Sequence, residues 1–285
     1  VRGRYSFAVI CLAIFGACDA AATDLQPATL AAFEKYVATT EKRLENEVRQ
    51  NKGAIWLDSR PGLRERVRAG EILVQPAKGN GETSVPSGLI HDWMGAMFIP
   101  GATLRDTFEI IHDYDDYKQL YKPGVVDSKL LSQEGNDYDF YLRLRRKDIM
   151  TVVMNTRYKS ECLPIDGSRW FSRTYSTHVA EVEDPGGPGE AELPVGTGHG
   201  FLWRLNSFTR FEERDGGVYI ELESVALTRN VPFLLGWIIQ PVITRVARES
   251  MATALNSTRA AVLKETEAAA VRRAALREPQ PEPQP

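Results

Sequence analysis

Six strand-like segments follow one another between Val125 and Arg229, and all but one of the joints between them are too short for crossover connections. They are Val125 to Gln133, Tyr138 to Lys147, Thr151 to Cys162, Arg169 to Glu183, Gly200 to Glu213 and Val218 to Arg229. Glu134-Gly135-Asn136-Asp137 and Arg214-Asp215-Gly216-Gly217 combine Gly with Asn or Asp, the residues that accept the positive φ of a tight hairpin. Asp166-Gly167 marks a further turn, and Asp184 to Gly198 is a longer Gly/Pro loop. Parallel strands would need crossovers of a dozen or more residues, so the series predicts an antiparallel meander.

Alternation along the strands assigns their faces. Phe140, Leu142 and Leu144 oppose Asp139, Arg143, Arg145 and Lys147, and Val218, Ile220 and Leu222 oppose Glu221 and Glu223. This pattern predicts one dry face and one wet face, with Glu221 and Glu223 solvated or paired across strands to Arg.

Ahead of the meander, Leu89 to Ile99 reads as a strand ending at Pro100-Gly101. Thr103 can cap a helix carrying Leu104, Phe108 and Ile111 on one face, and a second short helix runs from Asp113 to Tyr121, where Lys122-Pro123-Gly124 stops it. Behind the meander, a long helix is predicted from Pro232 to Ala268, with Ile243, Ala247, Met251, Ala254, Thr258 and Ala261 as its apolar stripe. Its first turns, Phe233 to Ile239, are apolar on every side, and Pro241 should kink the axis. They either fit under the core or form an apolar lid that touches a ligand entrance or, transiently, a membrane.

The ends read differently. Arg2 and Arg4, an apolar run from Phe7 to Ala17 and the small residues Ala20 to Ala22 follow the order of a secretory signal over residues 1–22, implying an exported, periplasmic or secreted protein. Phe15-Gly16-Ala17-Cys18 is similar to a bacterial lipoprotein box, so anchoring through Cys18 is the alternative. Residues 23–87 are an amphipathic helix, Leu25 to Gln50, that packs outside the domain, followed by a connector. In the connector a short helix is expected around Arg60 to Arg64, a short strand at Ile72 to Val74 and a loop from Lys78 to Glu82. Residues 88–268 are the main domain, and 269–285, ending in Glu-Pro-Gln repeats, should be disordered.

Several chemistries find no support. A net charge of −3 with mixed signs offers no basic field for nucleic acid. His91, His112, His178 and His199 include no pair at helical metal-ligand spacing, so neither a metal nor a cofactor is expected. His91 and Asp92 fall on opposite faces of a strand and cannot pair as base and orienter. Gly196 to Gly200 lacks the following helix that a phosphate cradle needs. Cys162 reads as a small buried hydrophobe.

The element order strand, two helices, six strands and a long helix resembles the helix-grip fold of the START-like (SRPBCC) superfamily. That superfamily includes lipid-transfer START domains, birch-pollen-allergen relatives and polyketide cyclases. The resemblance covers Gly88 to Glu267 and rests on Phe98-Ile99-Pro100-Gly101-Ala102-Thr103-Leu104, the Asp215-Gly216-Gly217 turn and Leu227-Thr228-Arg229-Asn230-Val231-Pro232. It implies an α+β fold in which a curved seven-stranded antiparallel sheet wraps the C-terminal helix, with residues 23–87 added. It further implies that a hydrophobic small molecule, a lipid or an isoprenoid, lies between sheet and helix. His91, Trp93, Met97, Leu142, Ile220, Leu222, Trp237, Met251 and Leu255 would line that site, with Trp203, Arg204 and Asn206 from a strand of unclear parity and Tyr158 and Tyr175 as polar tips. Two alternatives stay open: a cyclase-like enzyme using His91, Tyr158 or Arg204, and an envelope interaction protein using the Leu25 to Gln50 helix.

Overall fold

The computed structural model describes residues 24–49, 55–60, 62–147, 151–230 and 233–275, with only the helical path described over 233–244. The signal and lipobox, Pro232, the side chain of Trp237 with the rest of the lid segment, and the last ten residues of the tail fall outside that range.

Helix α1 (Pro27–Arg49) is followed by a 3₁₀ turn (Trp56–Ser59) and α2 (Leu63–Arg68). Strands β1 (Leu73–Pro76), β2 (Glu82–Val85) and β3 (Gly88–Pro100) precede α3 (Leu104–Ile111), a 3₁₀ turn (Tyr114–Asp116) and α4 (Tyr117–Leu120). The meander is β4 (Val125–Glu134), β5 (Asp137–Lys147), β6 (Thr151–Pro164), β7 (Arg169–Glu183), the two-residue β8 (Ala191–Glu192), β9 (Arg204–Arg214) and β10 (Gly217–Arg229). Helix α5 (Phe233–Ala275) closes the described chain.

All pairings are antiparallel, in the order β1-β3-β10-β9-β7-β6-β5-β4, with β2 also on β3 and β8 on β7. The seven expected strands are all present. The short β1 falls on the strand expected at Ile72 to Val74, whereas β2 and β8 are additions, β2 forming partly from a stretch expected to be loop. Asp215 and Gly216 both adopt positive φ, 59° and 75°, which is the type I′ geometry that a two-residue hairpin requires. Thr103 caps α3 through a reciprocal box with Asp106, and Glu213 of β9 accepts a 2.7 Å bond from the Leu104 amide at the same helix start.

Strand β3 is buried from Gly88 through Ile99 because both faces of the sheet are covered. Trp93, Met97 and Ile99 pack under α5, together with Val218, Ile220 and Phe211. Ile90 packs on the opposite side with Phe33, Val37 and Leu44 of α1, alongside Phe171, Trp203, Phe208, Val225 and Leu227. Ile55, Leu57 and Val67 extend that outer cover over Ala96, Phe98 and Tyr219.

The face expected to be wet is therefore an interior layer in β9 and β10. Glu221 and Glu223 are each 3% exposed. Glu221 accepts bonds from the Trp56 and Leu57 amides at 2.9 and 3.2 Å, and Glu223 takes both its bonds from Arg43 of α1. Arg210 reaches Glu47 at 2.8 Å, and Tyr36 donates to Asp92 at 2.8 Å. Buried charges persist when each has a partner and hydrogen bonds, and the N-terminal segment supplies both. Helix α1 is consequently part of the core, not an arm that can be removed at no cost.

Helix α5 differs from expectation in two respects. Its buried residues are Met251, Leu255, Thr258 and Val262, so the stripe follows Leu255 and Val262 rather than Ala254 and Ala261. The helix also continues to Ala275, past the Ala268 end expected from the sequence. The Ala-rich run Ala268 to Ala275 has the helix propensity to extend it.

Candidate functional site

Helix α5 does not lie over the middle of the sheet. It sits on β3, and Gly95 makes this close approach feasible: a Cβ there would meet Leu255 Cδ1 at 2.6 Å and Met251 Sδ at 2.8 Å. Across the sheet, Tyr114, Tyr138, Phe140, Tyr158 and Cys162 form a second buried cluster, with Leu142 and Leu205 packed against it. Phe140 stacks between Tyr114 at 4.1 Å and Tyr158 at 5.1 Å. Strands β3 and β6 are four strand spacings apart, about 19 Å along the sheet, so a strip over β10, β9 and β7 separates these two walls.

Strand register fixes the residues of that strip. One cross-strand row reads Trp93, Ser224, Ser207, Thr174, Ser160, Tyr138, and the next reads Gly95, Leu222, Thr209, Ser172, Cys162. Leu222, Ser224, Leu205, Ser207, Thr209, Ser172 and Thr174 are each only half-buried. Ser160 Oγ bonds Thr174 Oγ1 at 2.8 Å and approaches Ser172 Oγ at 3.3 Å. The hydroxyls of Ser207, Thr209 and Ser224 make no hydrogen bond among the described residues. These two rows contain no Lys, Arg, Asp or Glu.

From β3 across to β6 the flanking rows are equally free of charge, while Glu82 of β2 continues the His91 row and lies 3.8 Å from His91 Nδ1. On one side His91, Ala226 and Leu205 lead toward Tyr158 and Phe140; on the other stand Met97, Ile220, Phe211, Trp170 and Pro164. His91 is buried, its Nε2 lies 3.0 Å from Thr228 Oγ1, and burial lowers its pKa to about 4, which keeps the ring neutral. The Tyr158 hydroxyl is buried without a hydrogen bond of normal geometry among the described residues, and burial pushes it up to about 12. Beside α3 a cleft of about 570 Å³ is lined by Phe108, His112, Tyr138, Trp170 and Glu213, together with Arg105 and Glu109. There His112 stacks on Tyr138 at 4.5 Å and its Nδ1 lies 3.2 Å from the tyrosine hydroxyl.

Of the residues expected to share one cavity, His91, Trp93, Met97, Leu142, Tyr158, Ile220, Leu222, Met251 and Leu255 lie on the α5 face of the sheet or on α5 itself. Four do not. Tyr175 donates to Glu41 of α1 at 2.7 Å, and Trp203 is buried against Phe33 and Phe208. Arg204 bonds the Trp203 carbonyl and faces the charge of Glu34, and Asn206 accepts from the Ser176 amide. Tyr175 shares the parity of Phe171 and Arg173 on β7, and Arg204 and Asn206 share that of Phe208 and Arg210 on β9; Trp203 precedes β9, so strand parity does not govern it. Of the three single candidates for a base or donor, Arg204 is on the α1 face, and His91 and Tyr158 are on the α5 face, four strand spacings apart along the sheet. The floor hydroxyls were not anticipated. Their signal is present in the sequence, since Ser172 and Thr174 share the parity of Trp170, Ser207 and Thr209 that of Phe211, and Ser224 that of Leu222.

Among solved structures, the STAR-related lipid transfer protein of Xanthomonas axonopodis is similar to this chain at 16% identity and a TM-score of 0.42, over 64% of this chain and 98% of that one. Human STARD10 is similar at 13% identity and a TM-score of 0.42, over 70% and 80%. The Zhui aromatase/cyclase of a Streptomyces species is similar at 12% identity and a TM-score of 0.35, over 65% and 96%. No family model matches the sequence, and no curated protein matches it. The chain's own topology decides the architecture: the first long strand pairs with the last, two short helices follow the first, and the final helix packs on the sheet face opposite α1. This is a START-like helix-grip fold. No helix among the described residues is long and apolar enough to cross a membrane.

Proposed function

We propose that the protein binds a hydrophobic small molecule of the lipid or isoprenoid class in the groove between the sheet and α5, and carries or transfers it. The observation behind this reading is the strip over β10, β9 and β7 between α5 on β3 and the Tyr114 to Tyr158 wall, whose side chains are only half-buried among the described residues. Leu222, Leu205, Leu142 and Trp93 supply apolar surface there, and burying a ligand against it gains about 25 cal/mol per Å². The reading includes export, supported by the order of charged, apolar and small residues over 1–22.

Organic extracts of the purified protein, analysed by mass spectrometry, should contain a stoichiometric apolar compound, and delipidated protein should take up the neutral fluorophore N-phenyl-1-naphthylamine. Protein that is reproducibly empty and takes up no fluorophore overturns the reading. N-terminal sequencing of the mature chain tests export: a start between Ala17 and Thr23 supports it, and an intact first residue sinks it.

A further inference from the structure

We infer that the groove selects an uncharged molecule that carries hydroxyl, ester, ether or carbonyl oxygens along an otherwise apolar body, and that Ser207, Thr209 and Ser224 are the residues that read those oxygens. This rests on the carrier reading and adds a ligand class to it.

The three hydroxyls lie on adjacent strands, Ser224 opposite Ser207, with Thr209 two residues further along β9. Neighbouring positions across a sheet are about 5 Å apart, and positions two residues apart on one strand about 7 Å. Together they form a triangle of polar atoms on an apolar surface. Each is half-buried and unbonded among the described residues, in contrast to Ser160, which is satisfied by Thr174. A hydroxyl both donates and accepts, so it can meet an ester carbonyl or an alcohol equally well. An uncommitted hydroxyl that a ligand covers must find a partner in that ligand, otherwise the complex loses the water bonds without replacement.

Charge is excluded by the same surface. A carboxylate or phosphate drawn over this floor would lose water and find no cation, because the four rows from β3 across to β6 contain no Lys, Arg, Asp or Glu, and their histidine is neutral. The α5 segment from Phe233 to Thr244 has no charged residue in its sequence. Arg210, Glu221 and Glu223 point the other way and are engaged by α1 and the segment around Trp56, and Glu213, on the same face as Thr209, lies at the α3 end, where it accepts the Leu104 amide.

The test uses the full chain loaded with N-phenyl-1-naphthylamine and three competitors built on similar hydrocarbon chains: glycerol monooleate, oleate at pH 8, and octadecene. The neutral oxygenated competitor should displace the fluorophore at about tenfold lower concentration than oleate and octadecene. The triple variant Ser207→Ala, Thr209→Val, Ser224→Ala should bind the fluorophore and octadecene as the parent does. It should lose about tenfold for glycerol monooleate. Oleate binding as tightly as the monoglyceride, or a triple variant that still prefers the monoglyceride, overturns the ligand class while leaving the carrier reading standing. Failure of the parent to bind the fluorophore or any competitor removes the carrier reading and this inference with it. Each substitution is half-buried and breaks no existing bond, and circular dichroism of the variant should match the parent.

Discussion

Arg43 on α1 holds both carboxylate oxygens of Glu223 on β10, at 2.5 and 2.7 Å, so two residues 180 positions apart close the polar layer between helix and sheet. Glu223 is buried and Arg43 about a third exposed, which places the pair at the edge of the layer.

Replacing only the cation should be costly. Arg43→Met leaves Glu223 buried without its partner and should destabilise the protein by about 3 kcal/mol in urea denaturation. Adding Glu223→Gln should recover most of that loss. Equal stability of the parent and the single variant would show that the pair contributes nothing.

Asp92 makes the same layer sensitive to pH. Burial first, then the negative charge of Glu223, pushes its pKa from 3.8 up to about 6, against the opposing effects of the Tyr36 hydrogen bond, Arg43 and Lys78. The folded state therefore keeps a proton that the unfolded chain has released. Its stabilising contribution is complete below pH 3.8 and is lost as pH rises through about 6, a change of up to about 3 kcal/mol. Asp92→Asn can still accept the Tyr36 bond but cannot ionise, so its stability relative to the parent should rise between pH 4 and pH 6.5. A constant difference across that range would remove Asp92 as the titrating group.

Gly95 is the point at which α5 touches the sheet. Gly95→Val forces its side chain into Leu255 and Met251 and should cost about 2 kcal/mol by thermal or chemical denaturation. Combining it with Leu255→Ala should relieve part of the overpacking, whereas additive losses would argue against direct contact.

Cys162 is 1% exposed and lies against the aromatic wall, with its thiol pushed up to about 12 by burial. Alkylation followed by peptide mapping should find it unmodified in the native protein at pH 8 and fully modified in denaturant. Rapid native labelling would mean that the wall opens far more often than its packing implies.

The strands were legible because turn chemistry is local. Asp215-Gly216 and Gly135 announce their hairpins, and Phe140, Leu142 and Leu144 announce a face, with no knowledge of the remaining chain. What covers the second face is not local. Glu221 and Glu223 alternate as solvated residues would, and only α1 and the Trp56 turn, well over 150 residues upstream, convert them into interior groups. The same cover explains why parity could not place Arg204 and Asn206: Phe208 and Phe211 are both buried, on opposite faces, so β9 offers no single apolar side to count from. On the α5 face Ile220 and Leu222 were readable from alternation, and Trp93 and Met97 from the family resemblance. The floor hydroxyls required the register of four strands before their adjacency became visible.

The pairing of β3 with β10 has a consequence for biosynthesis. All thirteen β3 residues find their neighbours in β10, from Gly88 opposite Arg229 to Pro100 opposite Gly217. A chain emerging from the ribosome thus makes its most apolar strand more than a hundred residues before the strand that completes it, and the closing loop is long. Until then β3 offers an unpaired edge and two sticky faces, the state in which growing polypeptides aggregate or recruit a holding chaperone. Stalled nascent chains ending before Gly217 should be digested readily within β3, and chains extended past α5 should resist, so the protein acquires its resistance late and in one step.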